Sequence, residues 1–217
     1  AGACRRENVD DEGMTRPPYS LMTGFIGTAW INIALSENDY DDVAYRLLQQ
    51  RSYPSWLYSV DQGATTIWER LNSYTIENGF GGNNSMNSFN HYSFGAVGAW
   101  MINHSLGIRR DAEVPGWKRF ILQPTPDPDG VMTRAAGYYD SPYGRIASEW
   151  QRTGDGFVYR VTVPANTTAT LYLPVTDGQR VIESGRPIAE AEGVRFLGYE
   201  KGRAAYTLVS GRYEFAV

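Results

Sequence analysis

The chain has 217 residues and a single cysteine, Cys4. One thiol cannot close an internal disulfide, so no disulfide or cysteine-based zinc framework is available and stability must come from packing. No stretch approaches the roughly 18 to 20 consecutive apolar residues that a membrane-spanning helix requires. The opening AGACRRENVDDEG also lacks an apolar signal core. The chain therefore reads as soluble, with no membrane partner and with its compartment, cytoplasmic or exported, left undecided. A basic excess is missing as well: 20 Lys and Arg stand against 24 Asp and Glu, a formal charge of −4, and no long basic run could lie along a phosphate backbone. Nucleic acid is not an expected partner. The patterns HExxH, paired CxxC and GxSxG are absent, and GFGGNNS, although rich in glycine, does not stand between a strand and a helix as phosphate cradling needs. Metalloprotease, zinc-ribbon, esterase and nucleotide chemistries thus lack their residues, and no metal or cofactor is implied.

What the chain has in quantity is aromatic: 15 Tyr, 8 Phe and 6 Trp, many of them in the first 120 residues beside Gly, Asn and Ser. Rings next to small polar groups suit a sugar site, because a sugar offers C–H faces that stack and hydroxyls that hydrogen-bond. Any single ring is more often a core group. Trp30, Tyr138, Tyr139, Tyr143, Trp150 and Tyr159 are read in that way.

Residues 21–36 place Leu21, Phe25, Trp30, Ile33 and Ala34 at helical spacing, and residues 39–50 repeat that spacing behind an Asp cap. After the turn-prone SYPSWLYSVDQG, the segment Thr65 to Ser73 reads as a short helix that Thr65 or Thr66 could cap, with Glu69 about one turn in. A Gly- and Asn-rich loop then leads to His91 at the head of an apparent long helix over 88–106, which is apolar nearly all round. A helix apolar on every side wants neighbours on every side, so a larger helical assembly or a second chain is expected.

Beyond residue 117 the texture changes to short alternating runs such as GRIASEWQ, GFVYRVTVPA, TATLYLP and GRYEFAV, separated by Gly, Pro, Asp or Asn. That is the pattern of an antiparallel sandwich. The expected organisation is a helical portion over residues 1–112 and a β-sandwich over 113–217.

The strings LMTGFIGTAW, AYRLLQQRSYPSWLYSVDQGATTIWERLNSY and MNSFNHYSFGAVGAWM, followed by VPGWKRFILQPTP, SPYGRIASEW and VTVPANTTATLYLP, are specific. In this order they resemble the C-terminal third of bacterial α-L-rhamnosidases, an inverting glycoside hydrolase family with an (α/α)6 barrel followed by a β-sandwich. The resemblance runs from about Leu21 to the C-terminus. It implies an α+β multidomain fold class, here the C-terminal helices of an incomplete (α/α)6 barrel and then an antiparallel β-sandwich. It implies release of terminal α-L-rhamnose from a rhamnose-containing oligosaccharide or glycoside.

The glutamate of the GATTIWER motif is the family's proposed general base, which makes Glu69 the catalytic residue here. His91, in FNHY, matches a histidine that contacts the sugar. Trp68 adjoins the base where the family presents an aromatic wall, and Trp68 or Trp56 could stack on the ring. Inversion needs a second, protonated carboxyl at the leaving oxygen. The family's acid lies in an upstream motif that Asp10, Asp11 and Glu12 do not reproduce. The partner this implies is the N-terminal part of the same enzyme, and the 217 residues alone are expected to be inactive. Two alternatives remain: a non-catalytic carbohydrate-binding or structural module, and a related barrel hydrolase for another sugar.

Overall fold

A computed structural model describes residues 1–81, 85–154, 156–176 and 180–217. The middle of the Gly- and Asn-rich loop, including Asn83 and Asn84, lies outside the described residues. The chain forms two compact units, Ala1–Trp100 and Met101–Val217. Among the described residues no helix is long and apolar enough to cross a membrane.

The first unit opens with a small antiparallel hairpin, β1 (Asn8–Val9) and β2 (Thr15–Arg16). Helix α1 (Phe25–Glu37) follows without a side-chain cap, and α2 (Asp41–Gln49) carries Asp41 and Asp42 in its first turn, where the helix dipole favours negative charge. The two expected helices are therefore present. Asn32 donates to the Ala44 carbonyl at 3.0 Å and fixes how α1 meets α2. Val43, Ala44, Tyr45 and Leu47, all fully buried, form the inner face of α2. Trp100 completes this core: its ring meets Tyr45 edge to face at 5.0 Å, and its indole N–H donates to Ser36 Oγ at 2.8 Å.

Two local expectations fail for identifiable reasons. The stretch SYPSWLYSVDQG contains a helix, α3 (Trp56–Asp61), whose N-cap Ser55 accepts the Tyr58 N–H at 3.1 Å. Thr65 to Ser73, by contrast, is not helical. Its β-branched start is a poor helix former. Its backbone is instead engaged across the chain: Glu69 N–H donates to the Ser88 carbonyl at 2.9 Å, and His91 N–H donates to the Ile67 carbonyl at 2.8 Å. The same pairing takes residues 88–91 out of the next helix. That run begins only at Ser93, as a 3-10 turn (Ser93–Ala96), α4 (Val97–Trp100) and a π-helical turn (Met101–Ser105). Trp30, expected in the core, is 63% exposed beside Ile26, which is 83% exposed. Both lie on one face of α1 that nothing in this unit covers.

The second unit is a two-sheet sandwich. Its five-stranded sheet runs β11 (Val194–Glu200), β12 (Arg203–Leu208), β8 (Thr168–Leu173), β4 (Arg119–Leu122) and β3 (Ile108–Arg110). Its six-stranded sheet runs β10 (Arg186–Pro187), β9 (Ile182–Glu183), β13 (Gly211–Ala216), β7 (Gly156–Val163), β6 (Gly144–Thr153) and β5 (Arg134–Ser141). Every described pairing is antiparallel except β4 with β8. The alternation in the sequence maps onto this geometry: Phe157, Tyr159, Val161 and Val163 point inward from β7 while Arg160 is exposed. Phe120, Leu122, Ile146, Trp150, Leu171, Leu173 and Phe215 close the core with no exposed surface. The fully buried polar rings of Trp150 and Tyr159 are satisfied, Trp150 through the Ser105 carbonyl at 2.9 Å and Tyr159 through Ser148 at 3.1 Å. Tyr138, Tyr139 and Tyr143, expected as packing groups, are 52%, 37% and 40% exposed. Tyr138 and Tyr139 lie on β5, an edge strand, and Tyr143 lies in the turn between β5 and β6, where few neighbours are at hand to cover a ring.

Candidate active site

The first unit contains a cavity of about 460 Å³ on which three stretches far apart in sequence converge. Leu21 to Phe25, at the entry to α1, form one wall together with Tyr53 and Pro54. Glu69 to Asn72 and Phe94 form a second. Asp10, Asp11 and Glu12, in the turn of the first hairpin, supply a third.

Glu69 is half-buried on this cavity. One of its carboxylate oxygens accepts the Ser88 N–H at 2.9 Å, while its own N–H donates to the Ser88 carbonyl at 2.9 Å. This reciprocal pair holds both the backbone and the carboxylate, and it exists because residues 66–69 lie against residues 88–91. Thr66 adds a hydroxyl hydrogen bond to the Phe89 carbonyl.

His91 reaches the cavity wall through an intermediary. Its ring stacks on Phe25, with centroids 4.7 Å apart and planes inclined by 28°, and on its other neighbour Tyr92 at 5.8 Å and 3°. Its Nδ1 is buried with no hydrogen-bond partner among the described residues. An imidazole nitrogen left without a partner is a group that a ligand hydroxyl or a further residue can satisfy.

Trp68 is 6% exposed and packs edge to face on Phe89 at 5.2 Å. Trp56 is 8% exposed and donates its indole N–H to the Phe94 carbonyl at 2.7 Å. Neither ring lines the cavity; the rings that do are Phe25, Tyr53 and Phe94.

Of the acidic trio, Asp10 has a structural task. It accepts the Met14 and Glu12 N–H groups at 2.8 and 3.0 Å and pairs with Arg16 at 2.6 Å. The Met14 N–H first, and then Arg16, hold its carboxyl below the ordinary range. Asp11 and Glu12 remain as exposed carboxylates on the cavity that Glu69 also lines. Among the described residues no three His, Cys, Asp or Glu side chains gather as a metal-ligand set. Phe25 and Tyr53 were not singled out by sequence. Each lies inside a string that carries the family resemblance, Phe25 in LMTGFIGTAW and Tyr53 in AYRLLQQRSYPSWLYSVDQGATTIWERLNSY, but no role was attached to either.

The first unit thus places a half-buried carboxylate, held by backbone, beside aromatic rings on a helical scaffold, and the second unit is a β-sandwich. Residues 7–105 match the bacterial α-L-rhamnosidase six-hairpin glycosidase domain, and residues 107–186 match the bacterial α-L-rhamnosidase C-terminal domain. The chain belongs to the bacterial α-L-rhamnosidase family. It is 37% identical over 204 residues to an α-L-rhamnosidase of Formosa agariphila, covering 94% of this chain and 22% of that protein. It is 38% identical over 199 residues to an α-L-rhamnosidase of Streptomyces avermitilis, covering 92% of this chain and 18% of that protein. The crystal structure of a Streptomyces avermitilis α-L-rhamnosidase complexed with L-rhamnose superimposes with a TM-score of 0.79 at 37% identity, over 92% of this chain and 18% of the other. The native enzyme from Aspergillus terreus gives 0.74 at 32% identity, over 92% and 20%. The chain thus spans about a fifth of the length of these relatives.

Proposed function

We propose that these residues form the base-bearing side of an α-L-rhamnosidase active site and that Glu69 is its general base. The observation that carries the reading is the Glu69 carboxylate, fixed by the Ser88 N–H on a cavity whose wall includes Phe25, the ring stacked on His91. In a single displacement, Glu69 takes a proton from a water as that water's oxygen bonds to the anomeric carbon. The bond from that carbon to the aglycone oxygen breaks on the opposite face, and a protonated carboxyl delivers a proton to the departing oxygen. The two carboxyl groups then stand about 6.5 to 9.5 Å apart, leaving room for the water.

The acid belongs to an upstream, N-terminal part of the same enzyme, which is also the partner we assign to the bare Ile26 and Trp30 face of α1. The short coverage of the relatives supports that assignment. His91 serves as a donor to a sugar hydroxyl, and Phe25 presents its face to the ring. Trp68 and Trp56, enclosed as they are, back the wall of the sugar site rather than forming its surface. By this reading the substrate is a rhamnose-containing oligosaccharide or glycoside, and the isolated 217 residues lack turnover.

The test is hydrolysis of nitrophenyl glycosides by the complete polypeptide that includes these residues, compared with the 217-residue chain. Rapid release from nitrophenyl α-L-rhamnoside by the complete enzyme alone is expected. Preference for another glycoside would overturn the substrate assignment, and rhamnose binding without release by the complete enzyme would favour a carbohydrate-binding module.

A further inference from the structure

We propose that the outer face of the six-stranded sheet holds a binding site for an acidic saccharide, with Arg212 as the group that takes its carboxylate. Two cross-strand rows build this face. In the first, Tyr138, Ala147, Thr162 and Arg212 stand in register across β5, β6, β7 and β13. In the second, Ala136, Glu149, Arg160 and Glu214 do the same. Three inter-strand steps separate Tyr138 from Arg212, about 14 Å at the usual strand spacing. Ala147 and Thr162 lie between them as a low floor, and together with Glu149, Arg160, Arg212 and Glu214 they line a trench of about 410 Å³ that Tyr138 itself does not line.

The charges on and around this face are nearly all compensated. Arg134 meets Glu149 at 3.1 Å, and Arg160 bridges Glu149 at 3.3 Å and Glu214 at 2.6 Å. Arg145 pairs with Asp140 at 2.8 Å and lies 3.6 Å over the Tyr138 ring. Arg212 differs: it lines the trench and has no ion pair or hydrogen bond among the described residues. The hydroxyl of Thr162, its cross-strand neighbour, is also without a partner there. One uncompensated guanidinium beside one free hydroxyl selects a ligand with a planar anionic group next to hydroxyls. The fixed charge pairs of the second row then supply further donors and acceptors along the wall. A uronate-containing disaccharide has this chemistry and the length to reach toward Tyr138. A saccharide rather than another anion is chosen because the family consists of glycoside hydrolases. The role of Glu69 does not enter, so binding can succeed or fail here whatever the fate of that assignment.

Digalacturonate titrated into the 217-residue chain, followed by calorimetry and by amide NMR shifts, tests the site. Saturable binding with shifts on β6, β7 and β13 is expected. Its fully methyl-esterified form should not bind. Arg212→Ala should weaken binding about tenfold or more. Ala147→Leu keeps every charge but raises the floor, and it should weaken binding to a similar extent. The proposal is overturned by absence of saturable binding, by equal affinity for the ester, by unimpaired binding in either variant, or by inorganic sulfate binding as tightly as the disaccharide.

Discussion

His104 should make the second unit lose stability as the solution turns mildly acidic. The residue sits in the π-helical turn Met101–Ser105 and is 8% exposed. Burial first, and then the positive charge of Arg109, hold its imidazole down to about 4 from an ordinary 6.5. An unfolded chain protonates this ring as pH falls through 6.5, while the folded chain stays neutral until about 4. In that window the unfolded state binds more protons, so the contribution is complete above pH 6.5 and drains away toward pH 4. The whole gap corresponds to roughly 3 kcal/mol, of which about 2 kcal/mol is lost between pH 7 and pH 5. Urea unfolding followed by tryptophan fluorescence at those two pH values, in the wild type and in His104→Gln, measures the difference directly. The wild type should lose about 2 kcal/mol more than the variant over this interval. Equal losses in the two proteins would refute the claim that the imidazole is held neutral by burial.

Other outcomes follow from packing. Phe120→Ala removes a ring with no exposed surface between the sheets and should cost about 3 to 5 kcal/mol in denaturant unfolding. Gly107→Ala should be at least as harmful as an ordinary core truncation, because a Cβ there would lie 2.1 Å from the Gln123 carbonyl carbon at a backbone φ of +75°. A melting temperature unchanged in Gly107→Ala would contradict that close approach. Trp30→Ser should leave stability in denaturant unfolding within about 0.5 kcal/mol, since the ring is 63% exposed.

The sandwich was legible because its strands obey a period of two and are bounded by turn residues. In GFVYRVTVPA, Phe157, Tyr159, Val161 and Val163 alternate with Val158, Arg160 and Thr162, and the first set is the buried face of β7. Ile108–Arg110, a three-residue strand, is too short to carry a period, and the six residues of α3 were hidden by the turn residues around them. Thr65 to Ser73 was misread because its conformation is set by residues 88–91, some twenty positions away, and not by local propensity.

The rings of Trp30 and Tyr138 show a different limit: composition says that aromatics tend inward but not which of them find cover. Glu69 and His91 stood out through motif resemblance alone, since an acid before an arginine and a histidine before an apolar run are ordinary surface patterns. That Asp11, Glu12, Phe25 and Tyr53 share a cavity with Glu69 is a consequence of chain reversal, which no spacing along the sequence encodes.

The most direct measurement is turnover of nitrophenyl α-L-rhamnoside by the complete enzyme carrying Glu69→Gln, with its folding checked by circular dichroism. Loss of the residue that activates water should lower kcat by about 10²- to 10⁴-fold with the fold intact. A variant that turns over at close to the wild-type rate would contradict the assignment of Glu69 as the base.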